Sequence, residues 1–312
     1  MKSDNHLFKV AVIRGGNISH KNSLTDGASV LLSLDKLGHK AIDVYVDKDG
    51  KWFNAGLETN PHKVFSSVDC FVDTTFSKNN DYHILAEKMG IPKMLSYQSF
   101  PINHDRENIY RLLRQDGFSV PDTVVIRSTE GGEKLILKLK EFWTTFHTPV
   151  LVRALDRYSC EPSFLVRGFK DLVKYINYFT EKKIDAHILS YKEEQTFSVA
   201  VLPNYRGERF YTPIPVKTLN NKKNLPDKDS VNQVLLNCMD SEKSKIIDTA
   251  ISVCDILQPS DAVLVDLIPY KNSYMVVNVE GRPSFREDGR FMKSLGSTGC
   301  ELGHYLYSRV ND

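Results

Sequence analysis

Two carboxylates and one amide lie close together near the end of the sequence, in a pattern that suits a divalent cation. Asp266 lies in one apolar run, and Asn278 and Glu280 lie in the next, beyond a turn-rich segment at 269–273. The runs predict a β-hairpin, and the spacing of two places Asn278 and Glu280 on one face of their strand. Mg²⁺ prefers such oxygen ligands and keeps sites for water and phosphate. The alternative is a solvated acidic hairpin.

Basic residues elsewhere are candidates for binding phosphate. Arg153 ends a strand-like run and precedes a polar loop that contains Ser159, and Arg106 lies at the start of a predicted helix. Arginine offers bidentate donors to phosphate oxygens. Lys217, in a proline-stiffened segment, could also reach a phosphate. For each of these cations, a solvated surface charge is the alternative.

Two further segments have a functional and a structural interpretation. Gly15 and Gly16 follow the first predicted strand, where open α/β sheets bind ligands, or they form a tight turn that requires positive φ. The aromatic and charged segment 285–291 either covers a substrate or is a solvated helix start capped by Ser284. The sequence has neither G-x-G-x-x-G nor GxxxxGK[ST], which excludes dinucleotide-binding and P-loop fingerprints.

The elements that position these residues begin with an alternation of strand and helix. An amphipathic helix with Gly38 as its stop lies between two apolar strands, which predicts a right-handed βαβ unit. Further strands extend this sheet, so residues 1–98 are predicted to form an α/β domain. The predicted elements are strands 8–13, 41–46, 70–72 and 91–94 and helix 23–37.

Two more domains are predicted after residue 98. Residues 99–183 contain helices and the strand that delivers Arg153, and residues 184–312 are rich in strands. The predicted helices of these parts include 169–179 and 243–257, the second of which leads into the hairpin.

Composition restricts the class of protein. With 312 residues, 41% hydrophobic and 26% charged, the chain is expected to form two or three soluble globular domains. A net charge of +2 provides no global field for nucleic acid or an anionic membrane, so neither is an expected partner. The sequence has no run of about 18 apolar residues that would span a bilayer and no signal-type segment, which favours the cytoplasm. The five scattered cysteines predict reduced thiols.

The order of these parts resembles the ATP-grasp superfamily, and most of all the D-alanine:D-alanine ligases, over nearly the whole chain. The resemblance implies an α/β (α+β ATP-grasp) fold, with a Rossmann-like N-terminal substrate domain and central and C-terminal domains that clasp ATP. It also implies Mg²⁺, amino-acid substrates, an acyl phosphate attacked by an amine to give a dipeptide, and, by analogy, a possible homodimer. The matching segments are 10–16, 90–92, 117–121, 149–153, 197–202 and the hairpin.

The resemblance also implies roles for individual residues. Asp266 matches the family's metal-binding Asp, and Asn278 and Glu280 match its Glu-x-Asn pattern in reversed order. Arg106 and Arg153 match cations that bind phosphate. The candidate catalytic residues are Ser159, which matches a serine of the family's flexible loop, Lys217, and His20, which is nearest to the position of an absent catalytic Glu.

Other positions depart from the family. Leu264 stands where the family has an Arg that stabilises an oxyanion, and its adenine- and ribose-binding acids fall at Leu189 and Thr196. Glu193 or Glu194 would replace those acids if the alignment slips by a few residues. Two hypotheses follow: a divergent ATP-dependent carboxylate:amine ligase, and a catalytically degenerate protein with a binding or regulatory role.

Overall fold

The structure is a computed structural model, and it describes residues 7–76, 81–95, 106–146, 149–156, 161–192, 194–218 and 233–310. An α/β unit comes first. Its sheet has the order β4-β3-β2-β1-β5-β6. Strand β1 pairs in parallel with β2, as the sequence predicts, and β5 pairs in parallel with the other side of β1. The elements are β1 (Lys9–Gly15), α1 (His20–Lys36), β2 (Lys40–Val46), β3 (Trp52–Asn54), β4 (Leu57–Thr59), α2 (Pro61–Phe65), β5 (Cys70–Asp73), α3 (Asp81–Lys88) and β6 (Lys93–Leu95).

Helix α1 starts three residues earlier than the predicted 23, at His20. Ser23 therefore lies inside the helix. Its hydroxyl is buried and accepts a hydrogen bond from the backbone N–H of Gly15, which fixes the helix to the end of β1. Gly38 follows the helix with a φ of 82°, which agrees with its predicted role as the stop.

The central unit is an antiparallel sheet with the order β7-β10-β8-β9. Helices α5 and α6 cover it and share its apolar core. The strand β10 belongs to this sheet, whereas the sequence places the start of the third domain at residue 184; the domain boundaries stay a prediction. The elements from Arg106 onward are α4 (Arg106–Gln115), β7 (Thr123–Ile126), α5 (Gly132–Phe146), β8 (Val150–Ala154), β9 (Phe164–Val166), α6 (Phe169–Glu181) and β10 (Ala186–Ser190).

The C-terminal sheet has the order β14-β13-β11-β15-β16, with β12 paired to β11. Side chains from α4 and α7 complete the core on one of its faces. The predicted hairpin forms, as β15 and β16 pair in antiparallel register. The elements are β11 (Thr196–Tyr205), β12 (Glu208–Tyr211), β13 (Val216–Thr218), β14 (Gln233–Leu235), α7 (Asp240–Leu257), β15 (Val263–Tyr270), β16 (Ser273–Glu280), α8 (Arg290–Gly296) and α9 (Leu302–Ser308).

The opposite face of the C-terminal sheet shares a single apolar core with the N-terminal unit. Val10 and Leu34 from β1 and α1 belong to the same buried cluster as Leu264, Phe291 and Tyr305. This packing fixes α8 and α9 beside the N-terminal sheet. In the part of the chain that the structure describes, no helix has the length and apolar character needed to cross a membrane.

Candidate functional site

The hairpin brings two of the predicted metal ligands into contact. Asp266 lies directly opposite Asn278, and the Asn278 Nδ2 donates to Asp266 Oδ2 at 3.2 Å. A β-bulge after Asp266 shifts the register, and the carbonyl of Val277 accepts the hydroxyl of Tyr110 from α4. The bulge therefore ties the hairpin to the helix that begins at Arg106.

Two arginines from different elements converge on the same amide. Arg106, the first residue of α4, donates from Nη1 to Asn278 Oδ1 at 3.3 Å, and Arg153 of β8 donates from Nη1 to that oxygen at 3.4 Å. Arg153 is only 3% exposed, and its Nη2 donates to the Tyr110 hydroxyl at 3.1 Å. The central sheet and the hairpin thus meet at a cluster of fixed guanidinium groups.

A third arginine binds the carboxylates. Arg290 Nη1 lies 2.7 Å from Asp266 Oδ1, and its Nη2 lies 3.6 Å from Glu280 Oε2. Ser198 of β11 donates to Asp266 Oδ1 at 2.6 Å and accepts from Arg290 Nη1 at 3.0 Å. Asp266 is 1% exposed and Arg290 is 4% exposed, so this ion pair is buried.

These contacts do not fit a resident Mg²⁺. Both oxygens of Asp266 accept hydrogen bonds, and the amide oxygen of Asn278 faces two guanidinium groups. A divalent cation needs those same lone pairs. Among the residues that the structure describes, no group of three or more His, Cys, Asp or Glu side chains is placed to hold a metal ion.

A buried histidine lies behind the arginine cluster. His187 of β10 is opposite Arg153 in the ladder, and its ring stacks on Tyr110. Its Nε2 donates to Glu107 Oε2 at 3.2 Å. Burial, reinforced by the charges of Arg153 and Arg106 and opposed by Glu107, lowers the pKa of His187 to about 4. The imidazole is therefore neutral at neutral pH and adds no further charge to the cluster.

An apolar slot lies between the two sheets, directly beside the cluster. Leu151 and Leu189 line it from the central sheet, Ile268 and Met275 line it from the hairpin, and Arg153, Asp266 and Asn278 form its polar end. Its volume is about 30 Å³, far below the 300 to 1,000 Å³ that is typical of ligand sites. A ligand of typical size would enter only if the two sheets move apart.

Comparisons with solved structures show which fold this arrangement belongs to. A D-alanine–D-alanine ligase from Bacillus anthracis, in complex with ATP, matches with a TM-score of 0.71 at 15% identity, over 97% of this chain and 96% of that one. D-alanyl-alanine synthetase A from Vibrio cholerae matches with a TM-score of 0.75 at 14% identity, over 97% of both chains. The chain has the ATP-grasp fold of the D-alanine–D-alanine ligases.

The VanG D-Ala:D-Ser ligase from Enterococcus faecalis has the same fold. It matches with a TM-score of 0.74 at 14% identity, over 98% of this chain and 99% of that chain. No family model and no curated protein matches the sequence. The D-alanine–D-alanine ligase fold predicted from the order of segments is thus confirmed by structure. The sequence identity is too low to transfer the roles of individual residues.

Within this D-alanine–D-alanine ligase fold, the structure does not bring every predicted site residue to the cluster. Lys217 on β13 pairs with Phe197, the neighbour of Ser198, so strand alternation places it on the face opposite Asp266. Glu194 is exposed in the loop before β11. Ser159 and Glu193 lie outside the described residues. The roles of these four residues stay predictions.

His20 and the glycine turn lie in the N-terminal unit of the fold. His20 Nδ1 is 2.7 Å from the carbonyl oxygen of Gly16, and its ring packs edge-on against Tyr45. Gly15 has a φ of 103°, and a Cβ there would lie 2.2 Å from the carbonyl oxygen of Val46. The turn therefore requires glycine for steric reasons, and the catalytic role of His20 stays a prediction.

The segment 285–291 is not a solvated helix start, so that interpretation was wrong. Arg290 and Phe291 are buried, and α8 begins at Arg290 with Gly289 as its N-cap. Ser284 does not cap the helix; its hydroxyl donates to the buried Asp26 of α1. Charged and aromatic residues occur together in this segment because Arg290 is buried beside apolar residues such as Phe291.

Sequence reasoning also missed a polar network at the end of β5. Asp73 is 1% exposed; it accepts from the Tyr82 hydroxyl at 2.7 Å and pairs with His83 Nε2 at 2.7 Å. Arg282 donates to the carbonyl of Thr75, which joins the end of the hairpin to this network. No motif in the sequence marks these contacts, because their partners come from three separate segments.

Proposed function

We propose that the protein binds ATP between its central and C-terminal sheets and uses it to join a carboxylate to an amine. The convergence of Arg106 and Arg153 on Asn278, at the polar end of an apolar slot, carries the proposal. The slot suits a base after the sheets move apart, and the guanidinium groups suit its phosphates. A shared fold with ligases, one of them in complex with ATP, supports the same conclusion.

The reaction would follow two steps. The carboxylate of an amino acid attacks the γ-phosphorus of ATP, which forms an acyl phosphate and releases ADP. An amine then attacks the acyl carbon, expels inorganic phosphate and leaves an amide, such as a dipeptide. Arg106 and Arg153 would neutralise the charge on the transferred phosphoryl group, which is the main catalytic demand of such a transfer.

Other residues have proposed roles in this scheme. Ser159 would cover the phosphates from its loop, and Glu193 or Glu194 would bind the ribose or the base. Lys217 would assist at the phosphates, and His20 would stand near the amino-acid substrate in the N-terminal unit. A homodimer is proposed on analogy alone, and sedimentation of the purified protein tests it.

The test of ATP binding uses a matched pair of arginine variants. Arg153→Met should weaken ATP binding by at least about tenfold, the factor that ~1.4 kcal/mol gives, because a charged donor to the phosphates is lost. The control is Arg127→Met, since Arg127 lies in the same unit but forms an exposed ion pair with Asp185. Calorimetric titration measures both. Equal affinity in the two variants would remove the cluster as the ATP site.

The ligase step has its own assay. ADP and phosphate release are measured with ATP and a panel of amino acids, singly and in pairs. Turnover that needs a particular pair identifies the substrates. ATP binding without ADP release for any pair would contradict the ligase proposal.

A second candidate is a catalytically degenerate protein that binds a nucleotide for a structural or regulatory purpose. Leu264 favours it. This residue is buried in the core shared with the N-terminal unit, at the position where the resemblance to the ligases implies an arginine. A lost oxyanion donor costs about 3 kcal/mol in the transition state. This candidate predicts a thermal shift with ATP and no turnover.

A further inference from the structure

The three residues that resemble metal ligands are all engaged by arginines. One guanidinium, that of Arg290, bridges both carboxylates: it lies 2.7 Å from Asp266 Oδ1 and 3.6 Å from Glu280 Oε2. Bridging two carboxylates is the role that a divalent cation would have at this hairpin. Arg290 comes from α8, outside the hairpin, so its position is fixed by the fold and not by a ligand.

The orientation of Asn278 also opposes a metal. Its Nδ2 faces Asp266 Oδ2 at 3.2 Å, and its Oδ1 faces the guanidinium groups of Arg106 and Arg153. Rotating the amide by half a turn would place its NH₂ group against two donors that have no lone pairs. Asn278 therefore presents its NH₂ group, and not its oxygen, to Asp266. A metal ion shared by the two residues would need the oxygen of each.

The charge of the cluster leads to the same conclusion. Arg290 faces the carboxylates of Asp266 and Glu280, and the guanidinium groups of Arg106 and Arg153 face the amide of Asn278 beside them. Arginine does not lose its proton in proteins, so the cluster stays cationic at every working pH. Adding a divalent cation within a few ångströms of three fixed positive charges in a buried site is strongly unfavourable.

Ser198 fixes this arrangement in the core of the sheet. Its hydroxyl donates to Asp266 and accepts from Arg290, so each member of the trio contacts the other two. The Asp266 and Arg290 side chains are 1% and 5% exposed. Removing Arg290 to admit a metal would break a buried, hydrogen-bonded ion pair.

We infer that Arg290 permanently takes the place of the divalent cation, so that the site binds the phosphates of its nucleotide without a metal ion. The choice of ATP as ligand rests on the proposed function. The exclusion of metal from the hairpin does not, since it depends only on the contacts of Asp266, Asn278 and Glu280 within the protein.

The first experiment probes the hairpin with Mn²⁺ alone, which takes the same oxygen ligands as Mg²⁺ and is counted by its spin resonance. We expect no saturable Mn²⁺ binding to the wild-type protein. Arg290→Met should create one Mn²⁺ site per chain. The control variant Arg286→Met should create none, because Arg286 is in an exposed ion pair with Asp288. Wild-type binding that Asp266→Asn removes would overturn the inference. A folded Arg290→Met protein that gains no site would overturn the role given to Arg290, because Asn278 and its two arginines would then exclude the metal without it.

The second experiment uses the unaltered protein and does not depend on whether a variant folds. Thermal melting is recorded with ATP in excess Mg²⁺ and with ATP in excess EDTA. We expect equal stabilisation in the two buffers, and stabilisation seen only with Mg²⁺ would overturn the inference. Stabilisation in neither buffer would contradict the proposed ATP binding, and the Mn²⁺ titration would still decide the question of the metal.

Discussion

The cation beside the hairpin carboxylates comes from a residue outside the hairpin. Leu264 lies opposite Glu280 in the hairpin, two positions from Asp266 and on the same face. Arg290 reaches both of those carboxylates from α8. Because this charge comes from α8, the spacing of residues along β15 cannot reveal it.

The ion pair of Asp266 and Arg290 gives the first stability prediction. Arg290→Met should lower the free energy of unfolding by about 3 to 5 kcal/mol, because it leaves a buried carboxylate without its cation. The double variant with Asp266→Asn should lose less than the sum of the two single variants, since the pair is removed together. Urea denaturation at neutral pH measures all of them.

The control for this cycle is Arg286→Met. Arg286 lies four positions before Arg290, and its ion pair with Asp288 is exposed, so its loss should change stability by no more than about 0.5 kcal/mol. A loss for Arg290→Met as small as that of the control would mean that the buried pair is not a coupled unit.

Some residues of the cluster could be identified from the sequence, and others could not. Arg106, Arg153, Asp266 and Asn278 each lie at the start of a helix or in a strand with a clear pattern, so they could be found. Arg290 could not, because a segment of charged and aromatic residues is usually solvated. Its burial depends on Ser198, 92 positions away in the sequence. Long-range partners of this kind leave no periodic signal.

At the scale of elements, strand alternation predicts faces better than it predicts registers. The spacing of Asn278 and Glu280 correctly places both on one face of β16. The bulge after Asp266 was not predictable, since it depends on Val277 accepting the Tyr110 hydroxyl from α4. The same limit affects β10, whose pairing with β7 and β8 depends on partners distant in sequence.

The packing of α4 against β10 predicts a pH dependence of stability. His187 has its pKa lowered from 6.5 to about 4 by burial, so the unfolded chain binds more protons between these values. Above pH 6.5 His187 is neutral in both states and does not lower the free energy of unfolding. As the pH decreases towards 4, protonation of the unfolded chain lowers that free energy, by on the order of 3 kcal/mol at pH 4.

Urea denaturation between pH 4 and 7 tests this dependence. His187→Gln should flatten the profile, because glutamine does not titrate. His304→Gln is the matched control: His304 is exposed on α9, so its replacement should leave the wild-type slope unchanged. A slope that is the same in all three proteins would show that His187 does not control the acid limb.

At the scale of the molecule, the cores divide the chain differently from its sheets. The N-terminal unit and one face of the C-terminal sheet share one apolar cluster, whereas the central sheet has a cluster of its own, from Ile126 to Ile188. The order of segments in the sequence was sufficient to predict the fold. It could not predict this shared core. The apolar residues of each unit show that one of its faces is buried, but not which other unit covers that face.

The shared core predicts how the protein responds to strain at the contact between α1 and α9. A Cβ at Gly303 would lie 2.6 Å from the carbonyl oxygen of Ser33 and 2.8 Å from the Leu37 side chain. Gly303→Ala should therefore destabilise the protein by about 1 to 3 kcal/mol through overpacking. Gly296→Ala is the control: nothing lies within 4 Å of its Cβ, and alanine in a helix is neutral or stabilising by up to about 1 kcal/mol.

Hydrogen exchange with peptide resolution locates the effect of Gly303→Ala. Because β1 and α1 are in one core with β11 and β15, protection should decrease in the N-terminal sheet and the C-terminal sheet together. The central strands β7, β8 and β10 should keep their wild-type exchange, since their core contains no residue from α1 or α9. A loss of protection confined to α9 would mean that the helix only covers the shared core, and an equal loss in the central strands would mean that all three sheets unfold as one unit.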